Sequence, residues 1–171
     1  MIANKLEKAY FYNSSHRNVV ADISRLIEKL FKEKNRILVF CKDLETVAVI
    51  DDFLWAYKED GFIPHSIETK ERSSIYPILI TTNIHEDYEH NVLLALSGVL
   101  IQEKDWRKFS KAYYFFDDQD NKEKENARDM WKNFSALNIV CKYWVNKGNK
   151  WELARSSYKL VYFETLLFYV F

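Results

Sequence analysis

Short, continuous runs of apolar residues alternate with helical segments along most of the chain, and this alternation limits the possible folds more than any other feature. The runs RILVFC (residues 36–41) and PILITTN (residues 77–83) are typical of strands that are buried on both faces of a parallel sheet. Residues 16–35 have apolar side chains at the spacing of an amphipathic helix, and Asp43 can cap a second helix at residues 44–58. This order predicts a mostly parallel, doubly wound α/β sheet flanked by helices, similar to the Rossmann architecture.

The remaining segments continue the pattern without an internal repeat or a linker, so one domain is expected. That domain is predicted to span residues 1–152 and to be followed by an apolar extension, residues 153–171. Residues 61–76 are expected to be irregular, and residues 138–145 to form the last strand. The other predicted elements are strands at residues 8–13, 90–97 (with a helical turn as the alternative) and 111–118, and helices at residues 105–110 and 121–137.

The last segment of the sequence, YKLVYFETLLFYVF (residues 158–171), is almost entirely apolar. A membrane-spanning helix needs about 20 consecutive apolar residues, so this segment is too short to cross a bilayer. We expect it to dock on the domain as a helix or an added edge strand, with an oligomer contact as the alternative. No membrane partner is expected.

The glycines are few and isolated, which argues against one large class of ligand sites. The 3 glycines of the chain, Gly61, Gly98 and Gly148, each stand alone. Phosphate-binding loops need clustered glycines because the backbone must approach the phosphate closely. We therefore expect no nucleotide-binding loop and no cofactor.

The charge balance requires any basic site to be local. Lys and Arg total 25 and Asp and Glu total 25, so the formal net charge is zero. Such a molecule has no overall field that would attract nucleic acid or an anionic membrane. Direct binding to nucleic acid is therefore disfavoured, and a site for an anionic partner must be built from a few neighbouring residues.

The residue types that carry catalysis or bind metals are present but are not grouped. His85 and His90 are five positions apart, which does not place both imidazoles on one face of a helix. No nucleophile, base and oxyanion site can be assembled from the sequence. We expect no catalytic residues, no metal site and no enzyme activity, with an unrecognised α/β enzyme as the alternative.

Two features predict a cytoplasmic protein. The first residues, MIANKLEKAYFYN, contain no apolar run followed by a small-residue cleavage site, so they do not form a secretory signal. Cys41 and Cys141 lie in apolar strand-like runs and are expected to be two buried free thiols, which is usual in a reducing compartment.

The helix predicted at residues 121–137 combines a row of cations with an apolar stripe. Its basic residues recur every four positions, and its apolar residues lie beside them on the helix surface. A solvated helix face is the simplest interpretation, and a binding site for an anionic partner is the alternative. The basic residues are Lys124, Arg128 and Lys132, and the apolar residues are Ala127, Met130, Trp131 and Phe134.

A second candidate surface lies at the end of the helix predicted at residues 44–58. Leu54 and Trp55 are near the end of this helix, and Phe62 and Pro64 follow the next turn. The turn can fold these residues onto their own core, or it can present the aromatic side chains as anchors for a partner. The sequence pattern alone leaves both interpretations open.

Both surfaces belong to longer segments that resemble the chi subunit of bacterial DNA polymerase III. In NRILVFCKDLETVAVIDDFLWAYKEDGFIPHSI (residues 35–67), a strand ending in Cys, an acidic helix start, a Leu-Trp pair and a Phe-x-Pro-His turn occur in the order and spacing of that family. PILITTN and ARDMWKNFSALNIVCKYWVNKGNKWE (residues 127–152) continue the likeness, which covers roughly residues 8–152. Asn138 stands where the family often has glycine, and asparagine also tolerates a left-handed cap. The apolar extension has no counterpart in the family pattern.

The resemblance implies an α/β fold that binds no nucleotide and a noncatalytic role in the clamp-loader assembly of the polymerase. Members of the family bind the psi subunit and the acidic C-terminal tail of single-stranded-DNA-binding protein, which ends in Phe with a free carboxylate. DNA would be contacted only indirectly, and an adaptor for another acidic partner is the alternative. The residues implied for the tail are Lys124, Arg128, Trp131 and Lys132. The residues implied for psi, or for another clamp-loader subunit, are Leu54, Trp55, Phe62 and Pro64.

Overall fold

Eight strands and four helices make up the part of the chain that the computed structural model describes, residues 6–14, 19–56, 62–68, 75–85, 88–147 and 150–157. The predicted extension 158–171 lies outside these residues. None of the described helices is long and apolar enough to cross a membrane. In chain order, the elements are β1 (Lys8–Asn13), α1 (Val19–Lys32), β2 (Ile37–Phe40), α2 (Leu44–Ala56), β3 (His65–Ile67), β4 (Ile78–Thr81), β5 (Val92–Ala95), α3 (Glu103–Trp106), β6 (Lys111–Phe116), α4 (Asn121–Ala136), β7 (Val140–Lys147) and β8 (Lys150–Ser156).

The strands form one sheet in the order β3-β4-β2-β5-β6-β1-β7-β8. All neighbouring strands run parallel except β8, which runs antiparallel to β7 at one edge. β1, the first strand of the chain, lies between β6 and β7. The structure therefore confirms the predicted mostly parallel, doubly wound α/β sheet.

Alternate residues of the central strands point to opposite faces of the sheet, and helices cover both faces. In β2, Ile37 and Val39 pack in one core layer and Leu38 packs in the other, and all three side chains have 0% of their surface exposed. α1 and α2 cover the first layer, and α3 and α4 cover the second. This double burial explains the continuous apolar runs of the strands. Cys41 and Cys141 are buried free thiols, as predicted.

Two strands were not expected from the sequence. β3 lies in the region predicted to be irregular, and β8 follows the strand predicted to be the last. β3 has only 3 residues, too few for a periodic pattern. β8 is an edge strand with mostly exposed side chains, so it lacks a continuous apolar run. It also extends to Ser156, four residues past the predicted end of the domain at residue 152.

Helix α4 is capped at both ends, by Asp120 at its start and by Asn138 at its end. At its start, the Asp120 carboxylate accepts hydrogen bonds of 2.8 and 3.1 Å from two backbone N–H groups of the first turn. At its end, Asn138 adopts a φ of 57°, which confirms the predicted left-handed cap. The following N–H group, of Ile139, donates to the carbonyl of Phe134 at 2.9 Å. These bonds define where the helix begins and ends.

The Glu123 side chain links the first turn of α4 to the sheet. Its carboxylate accepts hydrogen bonds from the Ser97 hydroxyl at 2.6 and 2.9 Å and from the Asp117 N–H group at 2.8 Å. Ser97 follows β5 and Asp117 follows β6, so Glu123 holds the start of α4 at the carboxyl ends of these two strands. The rest of the helix then runs back across the sheet, beside β1 and β7.

Candidate functional site

A cleft of about 480 Å³ lies between helix α4 and the side of the sheet formed by β1, β7 and β8. One wall consists of α4 side chains, namely Lys124, Ala127, Arg128, Trp131 and Lys132. The sheet and the β6–α4 connection supply Phe11, Phe116, Asp118, Tyr143 and Arg155. We call this the α4 cleft, and we call Phe11, Trp131 and Tyr143 its aromatic floor.

The register of the strands explains why residues distant in sequence meet in the α4 cleft. Phe11 of β1 is paired with Tyr143 of β7, and Tyr143 is paired with Arg155 of β8. Directly paired residues project from the same face of a sheet, so these three side chains form one row. The row runs from a buried ring on an inner strand to an exposed cation on the edge strand.

Trp131 projects from α4 and belongs to both the helix wall and the aromatic floor. Its ring lies 5.5 Å from the Phe11 ring, measured between centroids, with the planes tilted by 56°. The guanidinium carbon of Arg155 lies 5.7 Å from the Trp131 centroid, within the range of a cation–π interaction. Trp131 is half-buried, so part of its ring remains accessible from the cleft. The floor can therefore accept a further apolar group.

The charges around the α4 cleft are predominantly positive. Lys124, Arg128, Lys132 and Arg155 supply four cations and Asp118 supplies one carboxylate, so the lining carries +3 (4 − 1), whereas the whole chain has a net charge of zero. Lys132 is partly neutralised by Asp129, since the two charged groups are 3.4 Å apart at the exposed surface. Concentrated positive charge beside an apolar floor favours a ligand with both a carboxylate and a ring.

Tyr143 provides a neutral polar group within the aromatic floor. Burial raises the pKa of its phenol, the nearby Asp118 carboxylate adds to this effect, and a hydrogen bond from Asn13 opposes it. The Asn13 side-chain amide donates to the phenol oxygen at 3.4 Å. The hydroxyl therefore keeps its proton at neutral pH and can donate a hydrogen bond to an anionic ligand.

The α4 cleft contains all four residues that the resemblance implied for an acidic tail, Lys124, Arg128, Trp131 and Lys132. Their binding role stays a prediction. Arg155 was missed because β8 was not predicted. The Gly-Asn pair at residues 148–149, between two strand-like segments, is the sequence signal that would have indicated a hairpin and the strand β8. A register shift between Tyr143 and Trp144 then brings Arg155, and not Ala154, opposite Tyr143.

The residues of the second candidate surface differ in exposure: some are accessible to a partner and one is buried in the core. Trp55 and Phe62 are 59% and 69% exposed, and their ring centroids are 5.7 Å apart. Pro64 is half-buried beside them. Leu54, by contrast, is only 2% exposed and packs in the core layer beneath α1 and α2. The expectation that Leu54 contacts a partner is therefore corrected, because its position on the inner face of α2 makes it a core residue.

The histidines of the described residues lie apart from the α4 cleft. His90 is buried, its Nε2 atom lies 3.2 Å from the Tyr76 carbonyl oxygen, and burial lowers its pKa to about 4. His65 is also buried, with Nδ1 2.6 Å from the Ile63 carbonyl oxygen. Within the described ranges, no group of three or more His, Cys, Asp or Glu residues is placed to hold a metal ion.

The model of the family described as DNA polymerase III chi subunit, HolC, matches residues 6–142 of this chain. The chain belongs to the chi-subunit family of DNA polymerase III. A curated relative, the probable DNA polymerase III subunit chi of Rickettsia prowazekii (strain Madrid E), is 24% identical over 110 residues, which are 62% of this chain and 67% of the relative. Both comparisons confirm the resemblance found in the sequence and place the chain in DNA replication, as a polymerase subunit.

The match to the chi family covers most of the α4 cleft but not all of it. The matched region includes β1, β6 and the whole of α4, and it ends at residue 142, one residue before Tyr143. Arg155 therefore lies beyond the matched region. The cation that contacts Trp131 from β8 is a feature of this chain that the family match does not cover.

Proposed function

We propose that this chi-family chain is a noncatalytic subunit that binds the acidic C-terminal tail of single-stranded-DNA-binding protein in the α4 cleft. Binding of this tail would link the clamp-loader assembly of the polymerase to DNA that is already coated by that protein. The observation that supports the proposal is the combination, in one cleft, of an aromatic floor and four surrounding cations.

A peptide that ends in Phe with a free carboxylate complements the α4 cleft. Its terminal ring matches the aromatic floor, and its carboxylate matches the surrounding cations. Burial of the terminal ring on the aromatic floor contributes on the order of 1.5–3 kcal/mol. The exposed Arg128 guanidinium provides a fork for the carboxylate, and a charge-assisted hydrogen bond adds about 1.5–3 kcal/mol. Lys124 and Lys132 attract the acidic residues upstream, which raises the association rate more than the affinity.

These contributions predict a weak complex that is sensitive to salt. Association costs at least about 4 kcal/mol of translational and rotational freedom, which offsets most of the gain from one ring and one carboxylate. Arg128, Lys132 and Arg155 are exposed and Lys124 is half-buried, so most of the attraction is screened at physiological ionic strength. Rapid release and rebinding would suit a contact that must keep pace with a moving polymerase.

The proposal is tested by titrating the full chain with the last residues of the tail, in the free-acid and the C-terminally amidated forms. Arg128→Ala should weaken binding of the free acid by about 1.5–3 kcal/mol. Amidation should weaken binding to the unmodified chain by a similar amount and add little on the Arg128→Ala variant, because both changes remove the same contact. Lys124→Ala should cost less and mainly reduce the salt dependence, since a flexible ammonium acts as a point charge.

Arg25→Ala is the matched control for Arg128→Ala, because Arg25 is an exposed arginine on α1, which covers the opposite face of the sheet. It should leave peptide affinity unchanged. Additive losses from amidation and Arg128→Ala would mean that the two groups do not meet, and the proposed mode would be rejected. Equal affinity for an acidic peptide without a terminal Phe would instead indicate an adaptor for another acidic partner.

We also propose that Trp55, Phe62 and Pro64 bind the psi subunit or another clamp-loader subunit. Two adjacent, exposed aromatic rings beside the short strand β3 support this, because such side chains often dominate binding energy at interfaces. Phe62→Ala should weaken capture of that subunit and leave titration with the tail peptide unchanged. Arg128→Ala should weaken binding of the tail peptide and leave capture of that subunit unchanged.

A further inference from the structure

Helix α2 is apolar on its outer face as well as on the face that packs against the sheet. The exposed residues of the neighbouring helix α1 are all charged, namely Arg25, Lys29 and Lys32. The exposed residues of α2 are five apolar residues and two acids, namely Leu44, Ala48, Val49, Trp55 and Ala56, with Glu45 and Asp52. A helix with apolar residues all round is usually buried, so the outer face of α2 lacks a covering element among the described residues.

Three of these apolar residues form one stripe along the helix. Ala48 follows Leu44 by four positions and Trp55 follows Ala48 by seven, so the three lie on the same side of α2. Leu44 is 73% exposed at one end, and at the other end the Trp55 ring contacts the exposed Phe62 ring. We call these four residues the α2 stripe. From Leu44 to Trp55 it is about 17 Å long, because a helix rises about 1.5 Å per residue.

Acidic residues border the α2 stripe on both sides. Asp51 lies along one border, and Glu45 and Asp52 lie along the other. α2 contains these three acids and no Lys or Arg, so the helix carries −3 (0 − 3). Glu45 and Asp52 are exposed, and the Asp51 carboxylate lies 3.3 Å from Nε2 of the buried His65. The face therefore complements a partner surface that is apolar along its centre and basic at its borders.

We propose that a partner protein packs an amphipathic helix of about three turns along the α2 stripe, with its apolar face on the stripe and Lys or Arg residues at its borders. This inference rests on the proposed binding of a clamp-loader subunit at Trp55 and Phe62, and it specifies the kind of segment that the subunit supplies. A second copy of this chain fits poorly, because two α2 stripes placed face to face would bring their acidic borders together. An acidic peptide is disfavoured for the same reason.

The inference is tested by capture of purified clamp-loader subunits on the full chain. Ala48→Arg places a long cation in the middle of the α2 stripe and should weaken capture by about tenfold or more, since it opposes both the apolar contact and the basic borders of the partner helix. Ala136→Arg, at an exposed alanine on α4, is the matched control and should leave capture unchanged. Leu44→Arg repeats the test at the exposed end of the stripe if Ala48→Arg does not yield folded protein.

The acidic border is tested separately by its effect on salt dependence. Capture by the unmodified chain should weaken as salt is raised, because the attraction between the borders is screened. Glu45→Lys combined with Asp52→Lys should weaken capture at low salt by about tenfold and reverse this dependence, since it replaces attraction by repulsion. Glu125→Lys combined with Asp129→Lys makes the same charge change at exposed positions on α4 and should do neither.

Phe62→Ala separates failure of this inference from failure of the proposed binding. If Phe62→Ala weakens capture but the changes at Leu44, Ala48 and the acidic border do not, the subunit binds at the rings and not along α2, and the inference is overturned. If Phe62→Ala leaves capture unchanged, or if no subunit is captured, the proposed binding is rejected and the inference falls with it. Self-association of the unmodified chain that Ala48→Arg abolishes would assign the α2 stripe to a second copy and would also overturn the inference.

Discussion

Among the described residues that line the α4 cleft, Arg155 is the one cation that comes from the sheet and not from the helix. Its guanidinium lies over the Trp131 ring, at a distance typical of a cation–π contact. An exposed contact of this kind contributes about 0.5–1 kcal/mol, so it can be exchanged for a stronger contact with a carboxylate. We therefore expect Arg155 to exchange its contact with Trp131 for a contact with a ligand carboxylate if the proposed tail binds.

Arg155→Ala should weaken binding of the free-acid tail peptide by about 0.5–1.5 kcal/mol, since it removes a cation from the rim of the cleft. Arg155→Lys should restore the attraction of upstream acidic residues but not the planar contact with Trp131. The affinities are measured by titration at low and high salt, with Lys150→Ala on the same strand as the control. Unchanged affinity of Arg155→Ala at both salt concentrations would exclude Arg155 from the site.

At the scale of elements, helix α2 offers adjacent residues with opposite expected effects on stability. Leu54 is 2% exposed and Trp55 is 59% exposed. Leu54→Ala should lower the free energy of unfolding by about 2–5 kcal/mol, because it leaves a cavity in the core. Trp55→Ala should change it by less than about 1 kcal/mol. Both values are obtained by denaturant unfolding, and a loss above 3 kcal/mol for Trp55→Ala would assign that ring to the core.

The end of helix α4 gives a further prediction at this scale. Asn138 has a φ of 57°, which a residue with an ordinary Cβ adopts only at a cost of roughly 1–2 kcal/mol. Asn138→Ala should therefore destabilise the protein by about 1 kcal/mol, whereas Asn138→Gly should be neutral or slightly stabilising. Thermal unfolding of the two variants provides the comparison. Equal midpoints for alanine and glycine would mean that the cap carries no strain.

The elements that the sequence predicted well are those in which burial imposes a pattern. β2 and β4 are covered on both faces, so their continuous apolar runs are readable without any tertiary information. β8 is exposed on an edge and depends on its pairing with β7, which is a tertiary contact. Leu54 and Trp55 are equally apolar, and only the rotation of α2 on the sheet separates a core residue from a surface residue.

The candidate site follows the same rule: residues with a local pattern were predicted, and residues brought in by tertiary contacts were not. The basic and aromatic residues of α4 share one helix, so their spacing alone places them together. Phe11, Tyr143 and Arg155 join them through the order of the strands, in which β1 is inserted between β6 and β7. That order follows from long-range pairing and leaves no local signal in the sequence. The helix wall of the cleft, including Trp131, was therefore found, and the residues that the sheet contributes were not.

At the scale of the whole molecule, His90 predicts how stability depends on pH. Burial, followed by the charge of Arg36, lowers its pKa in the folded state from 6.5 to about 4. As the pH falls from 6.5 towards 4, the unfolded chain takes up a proton on this histidine that the folded protein does not. The free energy of unfolding should therefore decrease over this interval, by up to about 3 kcal/mol.

The prediction is measured by denaturant unfolding at several pH values between 7 and 4, for the unmodified chain and for His90→Gln. The variant lacks the titrating group, so its loss of stability over this interval should be smaller by about the same amount. Parallel curves for the two proteins would show that His90 does not carry the effect.

The position of β1 in the sheet has a consequence for the order in which the chain can fold during its synthesis. Lys8 pairs with Lys111 on one side and with Val140 on the other, so the first strand has no neighbour until most of the chain has left the ribosome. At about 5–20 residues per second, this wait lasts roughly 5–25 s. During that time β2, β4 and β5 can already pair among themselves, while the aromatic strand KAYFYN stays unpaired. The nascent chain is thus exposed to mispairing and to chaperone binding at its N-terminal end, and any product that terminates before β6 cannot bury that strand between its native neighbours.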